Sequence, residues 1–412
     1  MKTTTRMPSR TPASRLQGSL SAGLALMLAA ACSDRPGPID PVPERLISTS
    51  VGTSAAPPPA WMPAWFLPFA KDFFKGLPNE AKAKWNACQT SGAIGDVGTV
   101  YVTGLNCRIV QVDGYPRRFV VHVPNHPNVV PGNPVPLVLM DHGSSGSGEQ
   151  FYNISAWVDQ ADLDGFIAVF PTALEYLVLS SGRISTKWHT YNLIGGIDAT
   201  VKPPLYPALS PWPADDIAFT GAILDDLEGV LDIDATRIYQ AGFSNGAGFT
   251  MRVAVEMHAR FAAVTAMAGF LNQEYFPTFR IPVTMGMGTD DPKLLAAANA
   301  NLVPGQAPLT AFPLDAATLY LYAHPTSQRD DATATFDLEP LVFTETLGAT
   351  SNLLQWTTPQ LANADGNVID LHIMSGVGHQ WPRGLGRTRL PNNPQAFDMT
   401  ATAWAFFQAH PK

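Results

Sequence analysis

Charge is scarce in this chain. Asp, Glu, Lys and Arg make up 15% of its 412 residues, against about 25% in an ordinary soluble domain. Lys and Arg form no block beyond the extreme N-terminus, and the formal net charge is −8. Clustered cations are what hold phosphate backbones, so nucleic acid is excluded as an expected partner. No GxxxxGK[ST] or GxGxxG pattern is present, which removes the usual phosphate cradles. The acidic pairs Asp215-Asp216 and Asp225-Asp226 lack ligand spacing and read as solvated faces or caps, so no metal and no cofactor are expected. No internal repeat is visible.

What the chain does have is apolar residues, 46% of the total, enough for a sizeable core. It is also rich in Pro (37) and Gly (33), which points to many loops and away from a helical bundle.

The start reads as a leader. Lys2, Arg6, Arg10 and Arg15 precede the apolar "LSAGLALMLAAA", which is shorter than the roughly 20 residues of a membrane span. "LAAAC" then matches a bacterial lipoprotein cleavage site in which Cys32 takes the lipid. Plain secretion is the alternative. In lipoproteins generally, Ser33 after that cysteine implies the outer membrane. Residues 1–31 are therefore assigned to a signal peptide. In an oxidising compartment Cys88 and Cys107 are left as a disulfide pair. Residues 32–60 read as a Pro- and Ser-rich tether, and 61–94 as an aromatic strap packed on the catalytic domain.

From 95 to 412 strands alternate with helices, the pattern of a mostly parallel sheet covered on both faces. A first antiparallel hairpin turns at Asp113-Gly114. "EQFYNISAWVDQADLDG" reads as a helix stopping at Gly165. The segment 293–350 lacks clear periodicity and is expected to be an insertion, part of a lid or substrate wall.

"QAGFSNGAGFT" (240–250) carries the chemistry. Gly-x-Ser-x-Gly alone is a weak signal, but here a strand precedes it and a helix follows it. That context makes it an elbow presenting Ser244 as a nucleophile, with the neighbouring glycines letting strand and helix pass closely. A serine hydroxyl needs a base. His379, in "SGVGHQWP" just past an apolar strand, has the right chain order, with His324 as runner-up. The acid falls between them, at Asp290 or Asp291 in "GTDDP", and spacing barely separates the two. An oxyanion hole is expected from the backbone N–H groups of Asn245 and of Ser144 in "DHGSSGSG".

The ordered pieces "PLVLMDHGSSGSG", "RIYQAGFSNGAG", "GTDDP" and "GHQWP" resemble the secreted polyhydroxybutyrate depolymerase and feruloyl esterase family of α/β-hydrolases, over roughly 100 to 410. The resemblance implies an α/β-hydrolase fold, a triad of Ser244, Asp291 and His379, and Trp381 lining the site. Ser144 stands where the family commonly has Cys or another small residue, and Met287 where it commonly has His. No separate substrate-binding domain is evident. Trp188 and Tyr191 are candidate substrate walls. The expected protein is an exported, monomeric serine carboxylesterase acting on polyhydroxyalkanoate-type polyesters or oligomers, touching membrane only through its lipid. Feruloyl or acetyl esters on plant polysaccharide are the alternative substrates. A non-catalytic surface binding protein on an esterase fold is the other class.

Overall fold

In a computed structural model, the structure describes residues 94–96, 98–202, 206, 212–357, 367–382 and 397–412. The expected leader, Cys32, the tether, Cys88 and the aromatic strap up to residue 93 lie outside the described residues. Cys107 is buried and disulfide-bonded.

The sheet begins with β1 (Ile94–Asp96), β2 (Gly104–Val112) and β3 (Tyr115–Val123). Asp113 and Gly114 both take positive φ, 52° and 81°, as a two-residue hairpin turn requires. Next come β4 (Val135–Asp141), α1 (Gly148–Ile154), α2 (Trp157–Asp164) and β5 (Ile167–Thr172). The single helix expected here is two, because Ala156 enters the left-handed region at φ 64°. Gly165 ends α2 in the same region, at φ 73°.

A small separate hairpin, β6 (Glu175–Val178) with β7 (Arg183–Thr186), and a one-turn α3 (Leu193–Gly196) follow. Then come α4 (Asp216–Val230), β8 (Ile233–Phe243), α5 (Asn245–Glu256), β9 (Ala263–Met267) and β10 (Val283–Gly288). The expected insertion carries α6 (Pro292–Asn299), α7 (Ala316–Leu319), α8 (Ala323–Thr335) and β11 (Thr344–Leu347). The chain closes with β12 (Ser351–Thr357), β13 (Val368–Met374) and α9 (Met399–Ala409).

Eleven described strands form one sheet in the order β1-β2-β3-β5-β4-β8-β9-β10-β13-β12-β11. The run β5-β4-β8-β9-β10-β13 is parallel throughout. Antiparallel pairs flank it on both sides, β3 with β5 and β12 with β13. Both faces are covered, which is why β4, β5, β9 and β10 are buried along their whole lengths. One large apolar cluster contains Phe219, Ile223 and Phe249. A second is built on Trp157, Trp404 and Phe407. This is an α/β-hydrolase fold.

Two expectations about acids change. Asp216 is fully buried, paired with Arg117 and accepting from the His189 N–H. Asp226 is also buried, accepting from the Tyr101 hydroxyl. Neither is a solvated face, because long-range partners replace water. Asp215 does cap α4, accepting from Ile217 N–H.

Candidate active site

Ser244 sits between the last residue of β8 and the first of α5, at φ 55° and ψ −116°. That backbone is unfavourable for a residue with a Cβ and persists only where its surroundings impose it. Here the Ser244 N–H donates to Met267 O at 2.8 Å and Gly248 N–H donates to Ser244 O at 3.1 Å. Glycine is required on either side. A Cβ on Gly246 would sit 2.5 Å from the carbonyl oxygens of both Asp141 and His142. One on Gly242 would collide with the Gly246 carbonyl and the Thr250 hydroxyl.

His379 follows β13, and its ring bridges two partners. Nε2 lies 2.9 Å from Ser244 Oγ and Nδ1 lies 2.7 Å from Asp291 Oδ2. The Asp291 side chain is fully buried and that of His379 is 13% exposed. Asp291 also caps α6. Its Oδ1 accepts from the N–H groups of Lys293 (2.9 Å) and Leu294 (3.1 Å), and Pro292 opens the helix. Helix cap and candidate acid are thus one carboxylate, with a partner set for each oxygen. Asp290 is exposed, and among the described residues its side chain accepts only from the Thr289 hydroxyl.

The loop after β4 is held from several sides. His142 is fully buried. Its Nδ1–H donates to Gly143 O at 2.6 Å, and its Nε2 accepts from Ala173 N–H at 3.0 Å. Burial pushes this imidazole down to about 4, which keeps that neutral tautomer. The Trp188 indole N–H donates to His142 O at 2.9 Å, and Ser145 N–H donates to Thr186 O at 3.0 Å. Lys187 Nζ donates to Ser144 Oγ at 2.8 Å. The N–H groups of Ser144 and Asn245 donate to no other group among the described residues. The Asn245 side chain is fixed separately, Oδ1 accepting from Trp188 N–H at 2.7 Å.

Ser244, Asn245 and His379 open onto a cavity of about 110 Å³. Tyr191, Leu193, Ile197, Phe270 and Leu271 line it. Lys293, Leu294 and Ala297 of α6 and His324 and Gln328 of α8 also line it, so residues of the segment 293–350 reach this cavity. Tyr191 lines the cavity as expected from the sequence and stacks on Tyr275, centroids 4.0 Å apart. Ser144 is not on the cavity wall, although Lys187, which holds its hydroxyl, is.

The two tryptophans are corrections. Trp188 is fully buried and stacks on Phe249. Trp381 is 1% exposed, donates to the Thr400 hydroxyl at 2.8 Å and packs near Trp157. Both belong to the core, where their N–H groups have partners and their rings have neighbours. His324 is not the base at Ser244. The sequence reading missed Lys187 and Lys293 as cavity residues, and nothing in their local sequence marks them.

The fold is that of the α/β-hydrolases, and Ser244, His379 and Asp291 are linked in the geometry of a nucleophile, base and acid. The chain is similar to "Putative esterase NocK" of Nocardia uniformis subsp. tsuyamanensis, 31% identical over 241 residues. The match spans 58% of this chain and 58% of that protein's length. No family model matches. Among solved structures the chain resembles an acetyl xylan esterase from Aspergillus awamori, with TM-score 0.41 and 14% identity over 66% of this chain and 94% of that one. It also resembles the S-formylglutathione hydrolase FrmB from Staphylococcus aureus, with TM-score 0.32 and 11% identity over 46% of this chain and 80% of that one.

Proposed function

We propose that this protein is a serine carboxylesterase working through an acyl-enzyme. The observation that carries this is the His379 ring, within hydrogen-bond reach of Ser244 Oγ on one side and Asp291 on the other. His379 Nε2 takes the Ser244 proton as Oγ attacks the ester carbonyl. Asp291 holds the Nδ1–H tautomer and stabilises the imidazolium without taking the proton. The Asn245 N–H, at the start of α5, receives the developing oxyanion, with the Ser144 N–H as second donor. His379 then protonates the alkoxide leaving group, and afterwards draws a proton from water to release the acid. The similarity to a protein described as an esterase supports this reading.

The substrates that the sequence resemblance favours are polyhydroxyalkanoate-type polyesters or their oligomers. The aromatic wall at Tyr191 keeps feruloyl or acetyl esters as a second reading. Export, with Cys32 as a lipid attachment point, belongs to the same proposal and draws on the leader pattern alone.

The test is hydrolysis of p-nitrophenyl butyrate by wild type and by Ser244→Ala. The expected result is a loss of about 10⁴-fold or more in kcat, with an unchanged unfolding midpoint. Equal rates from the two proteins would dismiss Ser244 as the nucleophile.

A further inference from the structure

The whole chain is acidic, yet the cavity beside Ser244 is not. Among the described residues its lining includes Lys187 and Lys293 and no Asp or Glu. The nearest catalytic carboxylate, Asp291, is fully buried, with His379 on one oxygen and the α6 cap on the other. It is not part of the cavity surface.

Lys293 stands where local physics opposes it. It occupies the first turn of α6, at the positive end of the helix dipole, where acids are favoured and cations cost stability. Its Nζ has no ion pair or hydrogen bond among the described residues. A residue that breaks a local rule without structural compensation is expected at a functional site.

His324 supplies an independent observation. It lines the same cavity, is only 6% exposed, and neither ring nitrogen has a hydrogen-bond partner among the described residues. Its Nε2 is fully shielded, which leaves Nδ1 as the unpartnered ring nitrogen with accessible surface. Buried polar groups are nearly always paired, so an unpaired one in a cavity wall points to a ligand. Burial lowers its pKa, so the ring is neutral, and with Nε2 shielded it can meet a ligand only through Nδ1, which in one tautomer is an N–H donor.

We infer that this cavity selects esters carrying a second, anionic carboxylate, held by Lys293 with His324 as a hydrogen-bonding neighbour. Lys187 also lines the cavity, with its ammonium held on the Ser144 hydroxyl. The apolar wall of Leu193, Ile197 and Phe270 takes the carbon chain between ester and carboxylate. Half-esters of dicarboxylic acids and hydroxy-acid oligomers with a free carboxyl end have this chemistry. The inference rests on the esterase reading of Ser244.

The experiment compares kcat/KM for mono-p-nitrophenyl glutarate, an anion, with that for neutral p-nitrophenyl butyrate. Wild type should favour the anion by about tenfold or more, the scale of one charge-assisted hydrogen bond. Lys293→Met should collapse that ratio and Lys293→Arg should keep most of it. A wild-type ratio near one, or a ratio that Lys293→Met leaves unchanged, overturns the inference while leaving the esterase reading intact. A second arm separates the two ideas. Ser244→Ala is titrated calorimetrically with monoethyl glutarate and with diethyl glutarate. Tighter binding of the monoester, lost when Lys293→Met is added, supports the anion site even if wild type cleaves neither chromogenic ester. Equal binding, or none, overturns it.

Discussion

Asp291 joins His379 to the first turn of α6. One carboxylate oxygen lies 2.7 Å from Nδ1 of His379, and the other accepts from the N–H groups of Lys293 and Leu294. The candidate catalytic acid is thereby clamped by the helix it starts, and its geometry does not depend on a flexible loop.

Asp291→Asn separates the two jobs. Asn caps helices about as well as Asp, so stability should change by less than about 1 kcal/mol. The amide can present its N–H₂ to His379 and favour the wrong tautomer. The expected loss in kcat is about a thousandfold or more. Asp291→Ala should lose a similar amount of activity and a further ~1 kcal/mol of stability, read from denaturant midpoints. Wild-type kcat in the Asn variant would remove Asp291 from the triad.

Asn245→Ala keeps the backbone N–H but deletes the acceptor of Trp188 N–H. That leaves a buried donor unpaired, at a cost of about 1–3 kcal/mol. It also frees the residue that follows the nucleophile. Ester hydrolysis should show kcat falling about 10- to 100-fold with KM changed little. A rise in KM with kcat unchanged would mean that Asn245 binds substrate and does not position the elbow.

Gly246→Ala should be among the most damaging small substitutions. The added methyl meets two backbone carbonyls, Asp141 and His142, which cannot rotate aside. Overpacking of this kind costs about 1–3 kcal/mol or more. Urea unfolding measures it, and a midpoint equal to wild type would contradict the packing described at the elbow.

Acid should destabilise the fold in a defined window. Burial holds His142 and His372 down to about 4, from 6.5. Between those values the unfolded chain binds protons on these rings that the folded chain does not. Stability therefore is fully present above pH 6.5 and falls as pH drops towards 4, by up to about 3 kcal/mol per ring. Asp331, raised to about 6 by burial, acts in the opposite sense between 6 and 3.8 and offsets part of the loss. Unfolding midpoints from pH 7.5 to 4.5 should fall in wild type and fall less in His372→Leu. Parallel curves for the two proteins would exclude His372. His142 also ties acid to the site. Protonating its Nε2 breaks the bond from Ala173 N–H that anchors the loop carrying Ser144.

Much of the centre was legible because its signals are local. The run "RIYQAGF", the alternating glycines and "NGAGFTMRV" specify a strand, a strained turn and a helix within some twenty residues, so Ser244 follows from neighbours in sequence. His379 was legible from chain order and its place just past an apolar strand. The choice of Asp291 over Asp290 was not legible from spacing, and only the family resemblance named it. It depends on which carboxylate β10 turns toward the loop after β13, and the register Gly288↔Met374 sets that.

Chain order, composition and motif spacing by themselves determined a parallel sheet, the elbow and a serine-based centre. Only tertiary structure decided that Trp188 and Trp381 are core and that Lys187, Lys293 and His324 face one cavity. An amphipathic or aromatic side chain has the same local preferences in a core as in a substrate wall. What separates the two is which distant elements pack against it, and those contacts exist only once the sheet has closed its register and brought α6 and α8 beside the elbow.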